Sequence, residues 1–193
     1  MKLAGGGKAR EEHCGLTVDS MEGREYINDL NWALRFALVN RYEMMHRIVA
    51  VIQLYTAGEP DWERLINRNH NHAEERDGLW IHRKGATHAE KDMMGVVPGN
   101  MRDGSFIVCG KGNPDSLYSS SHGAGRVLGR NQAKKSLSKA EFEKTMHGIV
   151  ARVGKRTIDE SPMVYKDIFE VMRLQAELVD VVAHVRPIIN VKG

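Results

Sequence analysis

The chain lacks the features that mark secreted and membrane proteins. Its two cysteines, Cys14 and Cys109, are too few and too far apart in 193 residues for a disulfide framework or a cysteine-based zinc site. No stretch approaches the roughly 18 apolar residues of a membrane span. The first residues also lack the apolar segment of a signal peptide. We therefore expect a reducing, cytoplasmic setting without membrane contact, and a flexible leader over residues 1–14.

Composition indicates a folded chain with a mild positive charge. Hydrophobic residues make up 41% and charged residues 27% of the sequence, enough for one domain with a real core. The formal net charge is +3 and the sequence pI about 8.9. This charge is compatible with a polyanionic partner but does not identify one.

The pattern of apolar residues predicts an α+β fold, with mixed sheets and flanking helices. Its largest element is a helix over about 20–57, opened by an Asp19-Ser-Met-Glu22 capping box. Apolar residues fall on several faces of this helix, which predicts one long apolar helix near the N-terminus. Either it is the central helix of a self-contained fold, or protein outside this chain covers it. We further expect a loop over 83–104 and strands at 79–82, 105–109 and 181–192, the first two from their β-branched and aromatic content. Helices are predicted at 138–147, opened by a Ser138-Lys-Ala-Glu141 capping box, and at 162–179, from an apolar stripe.

The segment from Ser119 to Arg130 carries the strongest chemical signal. It reads Ser-Ser-Ser-His-Gly-Ala-Gly-Arg-Val-Leu-Gly-Arg, with His122 ahead of a Gly-Ala-Gly turn. Glycines let backbone N–H groups approach an anion closely. We interpret 126–137 as a helix whose positive end faces that anion, with Arg126 and Arg130 on one face. The alternative is a polar surface turn ahead of a helix.

Candidate metal and phosphate groups precede this segment. In Asn-His-Asn-His, His70 and His72 could both bind Mn, Zn or Fe from one strand, or only one of them could. The other donors have no recognised ligand spacing to this pair: carboxylates, His13, Cys14, His82 and His88. Phosphate or ribose contacts, or ordinary surface turns, are predicted for Arg-Lys-Gly-Ala-Thr over 83–87 and for Val-Pro-Gly-Asn-Met over 97–101 with Ser105.

The order of these segments resembles the RtcB family of RNA ligases. The series runs Asn-His-Asn, Arg-Lys-Gly-Ala, Pro-Gly-x-Met, Ser-His-Gly-Ala-Gly-Arg, Tyr-Lys and a terminal Val-Lys-Gly, and the resemblance covers about residues 15–193. It implies a GTP- and manganese-dependent enzyme that joins RNA 3′-phosphate or 2′,3′-cyclic phosphate ends to 5′-hydroxyl ends, in tRNA splicing or RNA repair.

The resemblance also implies residue roles. His122 matches the nucleophile that takes GMP as a covalent adduct, and His70 matches a manganese ligand. The implied guanylate contacts are Asn100, Ser105, Ala124, Gly125, Tyr165 and Lys192, although the family usually has serine at the position of Asn100. The implied RNA-phosphate contacts are Lys84, Arg126 and Arg130.

The chain departs from the family in length and in metal ligands. Family members are about twice as long, and their N-terminal Asp-x-x-Cys and Asn-His-Phe-x-Glu segments are not visible here; His13-Cys14 does not reproduce the first. We therefore expect the C-terminal catalytic portion of the ligase, completed by an N-terminal half in trans. The alternatives are an inactive fragment and a non-catalytic RNA- or nucleotide-binding module.

Overall fold

A computed structural model describes residues 15–192, so the predicted leader over residues 1–14 lies outside the described part. The chain divides into two compact units, Met1–Val51 and Ile52–Gly193. We describe each unit by itself.

The first unit is built on helix α1, Met21–Gln53. Ser20 caps it, since the Ser20 Oγ accepts a hydrogen bond from the Gly23 N–H at 3.0 Å. The predicted length of this helix is confirmed to within a few residues, whereas the cap is Ser20 rather than Asp19.

The structure does not support the description of this helix as apolar. Its large apolar side chains are exposed, with Trp32 at 71% and Phe36 at 60%, and Gly23 is its one buried residue among those described. Charged residues lie between the apolar positions of this helix, among them Arg24, Glu25, Asp29, Arg35, Arg41, Glu43 and Arg47. Among the described residues, no helix combines the length and apolarity needed to cross a membrane.

The second unit contains nine short strands and three short helices among its described residues. The strands are β1 Asn71–Arg76, β2 Leu79–Lys84, β3 Ala86–His88, β4 Met94–Asn100, β5 Gly104–Gly110, β6 Ser119–Ser121, β7 Val150–Ala151, β8 Val179–Val185 and β9 Ile189–Asn190. The helices are α2 Arg130–Ser136, α3 Lys139–Thr145 and α4 Ile168–Leu174.

These strands form four small sheets. Antiparallel pairs join β1 to β2 and β3 to β6, β5 lies antiparallel between β4 and β8, and β7 pairs with β9 in parallel. The predicted mixture of helices and sheets is confirmed in this coarse sense.

Two apolar clusters hold this unit together. The larger lies on the three-stranded sheet and α4, and its buried members are Ala89, Val97, Phe106, Val108, Ala124, Ile168, Met172 and Val179. The smaller surrounds Phe142 of α3. Helix α3 begins with the predicted capping box, in which Ser138 and Glu141 exchange side-chain to backbone hydrogen bonds.

Several predicted elements differ from the structure. The predicted loop over 83–104 contains the end of β2 and all of β3 and β4. The predicted helix over 162–179 is a single 3₁₀ turn followed by α4. The predicted helix over 126–137 begins only at Arg130, because the residues before it bond to a neighbouring loop: the Val127 N–H donates to the Val164 carbonyl at 2.8 Å.

Substitutions on α4 test the larger core cluster. Ile168 is 0% exposed, whereas Leu174 on the same helix is 70% exposed. We expect Ile168→Ala to lower the free energy of unfolding by about 2–5 kcal/mol, and Leu174→Ala by less than about 0.5 kcal/mol. Chemical denaturation followed by circular dichroism measures both. Equal losses in the two variants would contradict the described packing.

Candidate functional site

His122 is fixed by a short antiparallel strand pair. It directly follows β6, whose Ser121 pairs with Ala86 of β3, and its backbone N–H donates to the Gly85 carbonyl at 3.3 Å. Gly85 has a φ of +76°, a conformation that favours glycine. The turn between β2 and β3 therefore positions the backbone of His122.

The imidazole of His122 stacks on that of His70, which lies just before β1. The ring centroids are 5.2 Å apart and the ring planes differ by 18°. Burial lowers the pKa of His122 below its ordinary value, and the nearby charge of His70 lowers it further. This environment favours the neutral imidazole, the form with a free lone pair. The structure thus brings together two of the histidines singled out from the sequence.

The Gly-Ala-Gly turn after His122 is anchored to the protein core. Ala124 is 4% exposed, and its N–H donates to the Pro98 carbonyl at 3.0 Å. Gly125 has a φ of +73°, and its carbonyl accepts from the Lys166 N–H at 3.0 Å. The Ala124 N–H is thus already bonded, and α2 begins only at Arg130, so a helix does not directly follow this turn as the sequence predicted.

A carboxylate that the sequence analysis did not single out connects several predicted site residues. The Tyr165 hydroxyl donates to Glu160 Oε2 at 2.7 Å, and Lys192 Nζ lies 3.2 Å from the same oxygen. Glu160 Oε1 lies 3.6 Å from Arg126 and 3.5 Å from Arg130. Glu160 thus joins a residue near the C-terminus to the segment that contains His122.

Burial and hydrogen bonding set the ionisation states of Tyr165 and Glu160. Burial raises the pKa of Tyr165, and the hydrogen bond and charge of Glu160 raise it further, to about 12. Burial alone would also raise the pKa of Glu160, but hydrogen bonds from Tyr165 and Lys192 outweigh it and the pKa is lowered. At neutral pH the pair is therefore a phenol donating to a carboxylate.

The two arginines of the motif differ in their surroundings. Arg126 donates to the carbonyls of Leu128 and Asp159 and to the Tyr165 hydroxyl, and its side chain is 25% exposed. The Arg130 side chain is 69% exposed and pairs with Asp159 Oδ2 at 3.2 Å. Both approach the Glu160 carboxylate, and Arg126 contacts the Asp159 carbonyl where Arg130 contacts the Asp159 carboxylate. They do not share a helical face as the sequence suggested, because α2 begins at Arg130.

The remaining predicted nucleotide contacts are split between a turn and a pocket. Asn100 caps the turn between β4 and β5, since its Oδ1 accepts from the N–H groups of Arg102 and Asp103, each at 2.9 Å. Ser105 lies on β5, opposite Pro98. A pocket of about 320 Å³ is lined by residues that include Asn100 and Tyr165, near the lower limit for small-molecule sites.

Cationic and metal-ligating groups lie around the start of β1. Lys84 ends β2, is exposed, and pairs through its backbone with Asn71, the residue after His70. His70 belongs to no group of three or more metal-ligating side chains within residues 15–192; the group found there is His72, Glu74 and His88. His70 can therefore offer one ligand to a metal, and the described part of the chain does not complete that site.

Comparison with known proteins places this arrangement in a family. The family model described as "tRNA-splicing ligase RtcB" matches residues 7–193. The chain is a member of the RtcB family. It is 39% identical to the RNA-splicing ligase RtcB of Escherichia coli (strain K12) over 186 residues, which cover 90% of this chain and 46% of that protein. It is 33% identical to the tRNA-splicing ligase RtcB of Aeropyrum pernix over 214 residues, covering 94% and 44%.

The chain spans about half the length of the curated RtcB relatives that it matches. Within this RtcB chain the structure brings His122 to His70, and Tyr165 to Lys192, Arg126 and Arg130. Sequence reasoning missed Glu160 and Asp159, which precede Ser161-Pro162 without any spacing typical of a site. Their role becomes visible only when the fold places the four partners around them.

Replacing Glu160 tests the network around Tyr165. We expect Glu160→Gln to lower the pKa of Tyr165 from about 12, because the carboxylate charge that disfavours the phenolate is removed. The pKa should stay above the ordinary value of 10.0, since burial remains. NMR of ¹³C-labelled tyrosine near pH 11 measures the ionised fraction, with Tyr165→Phe to assign the signal. Glu170→Gln, on an exposed carboxylate, is the matched control. An unchanged Tyr165 titration in Glu160→Gln would contradict the network.

Proposed function

We propose that this chain is the catalytic C-terminal portion of a GTP- and manganese-dependent RNA ligase. In this proposal it joins RNA 3′-phosphate or 2′,3′-cyclic phosphate ends to 5′-hydroxyl ends, in tRNA splicing or RNA repair. The observation that carries the proposal is the position of His122 in a chain of the RtcB family. Its ring is half-buried and stacked on a second imidazole, and its backbone is held between a strand pair and a core-anchored turn.

The proposed chemistry is nucleophilic catalysis by His122. A ring nitrogen of the neutral imidazole attacks the α-phosphorus of GTP, an N–P bond forms and pyrophosphate leaves. The guanylyl group then passes to the RNA 3′-phosphate, which restores the free imidazole. Finally the RNA 5′-hydroxyl attacks the activated phosphate and GMP leaves. Each step is an in-line phosphoryl transfer, for which positioning and positive charge supply most of the catalysis.

Guanylate contacts are proposed for the residues around the pocket and the motif turn: Asn100, Ser105, Ala124, Gly125, Tyr165 and Lys192. The Tyr165–Glu160–Lys192 network supports this assignment, because it holds two of these side chains in fixed positions before a nucleotide arrives. The Asn100 side-chain oxygen already accepts two backbone hydrogen bonds. The side-chain NH₂ of Asn100 donates to Asp103 at 2.7 Å. This NH₂ group is therefore the one that would donate a hydrogen bond to the nucleotide.

RNA-phosphate contacts are proposed for Lys84, Arg126 and Arg130, with different contributions. The Arg130 side chain is 69% exposed, so a phosphate can reach its guanidinium group. Its partner Asp159 is buried and would keep Lys134, at 3.8 Å, as a neighbouring cation. Arg126 is more buried and has several acceptors, which favours a positioning role. Lys84 is exposed at the end of β2, where a phosphate can reach it.

Manganese and an N-terminal half belong to the same proposal. His70 offers one imidazole ligand, and the described residues do not supply the companions that a metal ion needs. Because the chain corresponds to about half of its relatives' length, we propose that a separate N-terminal half completes the metal site. The alternative function is a non-catalytic RNA- or nucleotide-binding module that uses Lys84, Arg126 and Arg130.

Labelling with GTP separates the two functions. We expect the chain to acquire an acid-labile label from α-³²P-GTP and manganese when an N-terminal half of an RtcB relative is supplied as a separate polypeptide. The label should be lost in His122→Ala, which removes the attacking nitrogen. His147→Ala is the matched control, since His147 is exposed and outside the site, and it should be labelled like the parent chain.

Two outcomes would contradict the ligase. One is a label that survives in His122→Ala. The other is salt-sensitive RNA binding with no label from GTP, whether the N-terminal half is supplied or omitted. That result would favour the binding module. A label that requires the N-terminal half supports both the proposed chemistry and the proposed division of the metal site.

A further inference from the structure

A second group of metal-ligating side chains lies at the other end of the strand pair that holds His122. His72 and Glu74 are two residues apart on β1, and His88 ends β3. Each offers one ligand atom, and these atoms all lie within 4.8 Å of one another. We propose that His72, Glu74 and His88 form a zinc site that is separate from the metal site assigned to His70.

The orientation of His88 is that of a metal ligand. Its Nδ1 lies 2.9 Å from Glu90 Oε1, and because a carboxylate only accepts, Nδ1 carries the proton of the neutral ring. The Nε2 lone pair then faces Glu74 Oε2 at 3.6 Å. Two acceptors that face one another leave room for a cation between them. A carboxylate behind the ligating imidazole is also the usual arrangement around protein-bound metals.

His72 supplies an independent observation. It is 8% exposed, its ring stacks on that of His88 with centroids 4.4 Å apart, and its Nδ1 has no hydrogen-bond partner among the described residues. A buried polar atom without a partner costs about 1–3 kcal/mol. Ligation through Nδ1 would remove this cost.

Arg83 orients the carboxylate of this cluster. Its side chain is 2% exposed and it donates to Glu74 Oε1, which leaves Glu74 Oε2 directed towards His88. It also donates to Ser119 Oγ at 2.8 Å and to the Leu117 carbonyl at 2.9 Å. Arg83 therefore keeps its partners when a metal takes the second oxygen of Glu74.

The ligand set selects the ion. Arg83 and Arg76 lie beside the two carboxylates, so hard cations that depend on negative oxygen ligands are disfavoured. Two imidazoles and one carboxylate suit zinc, with a fourth position for water. Bonds of about 2.0–2.1 Å in tetrahedral geometry place ligand atoms about 3.3 Å apart. The three ligand atoms, which lie within 4.8 Å of one another, would approach to about that separation when zinc binds.

Zinc at this position would join two sheets. His72 and Glu74 belong to the β1–β2 pair and His88 to the β3–β6 pair, so an ion bound to all three crosslinks them. Since a ligand that binds the folded state stabilises it, zinc should raise the thermal midpoint of the chain as well as bind to it.

Equilibrium dialysis of the metal-free full chain against zinc, followed by elemental analysis, tests the proposal. We expect about one zinc ion per chain, and loss of that ion in His72→Ala, Glu74→Gln and His88→Ala. His147→Ala and His70→Ala are the controls and should keep the ion, which separates this site from the one assigned to His70. Circular dichroism checks that each variant is folded.

Cobalt provides a readout in the unsubstituted chain. Replacing zinc by cobalt should give the intense visible bands of a tetrahedral site, and zinc should raise the melting temperature of the parent chain but not of His88→Ala. The proposal is overturned if the folded parent chain retains no more zinc than His88→Ala does. It is also overturned if zinc binds equally well in all three ligand variants.

Discussion

Both candidate sites in this chain are fixed by the short antiparallel pairing of β3 with β6. At one end of this pair Ala86 faces Ser121, the residue before His122, and at the other end His88 faces Ser119. Two residues along a strand span about 6.6 Å, so this three-residue pairing sets the spacing between His122, the proposed nucleophile, and His88, the proposed zinc ligand. The β1–β2 pair then brings His70 against His122 and His72 against His88.

A second constraint comes from the sharing of one carboxylate among several donors. Tyr165 and Lys192 are far apart in sequence, yet both bond to Glu160 Oε2, and the arginines of the motif approach the other oxygen. Burial opposes the negative charge on Glu160, and hydrogen bonds from Tyr165 and Lys192 favour it. The ionised form of Glu160 therefore depends on these donors. The C-terminal residues are thereby coupled to the motif segment.

The predictions from sequence succeeded where a local signal was strong. The Ser138 capping box and the β-branched run in β5 each determine an element from neighbouring residues alone. The apolar stripe over 162–179 predicted a helix there, but α4 covers only Ile168–Leu174. Strands β3 and β4 were missed because glycine, proline and charge dilute their pattern, and pairing with β6 and β5 stabilises them instead. The apolar character assigned to α1 is not supported, because charged residues lie between the apolar positions that were counted.

The candidate site was predictable only in part, because some of its residues are adjacent in sequence and others meet only in the folded chain. The motif around His122 is contiguous, so its chemistry could be inferred from the sequence, whereas the His70–His122 contact joins residues 52 positions apart through two strand pairs. Glu160 and the His72–Glu74–His88 cluster have no diagnostic spacing. They become recognisable only when long-range pairing brings their side chains within bonding distance.

Mass spectrometry that locates the nucleotide on the chain tests the central claim most directly. After reaction with GTP and manganese in the presence of an N-terminal half, peptides prepared without acid should carry GMP on His122. GMP found instead on a lysine such as Lys84 or Lys192, or on His70, would contradict the account, because the nucleophile would then be a different group of the same site.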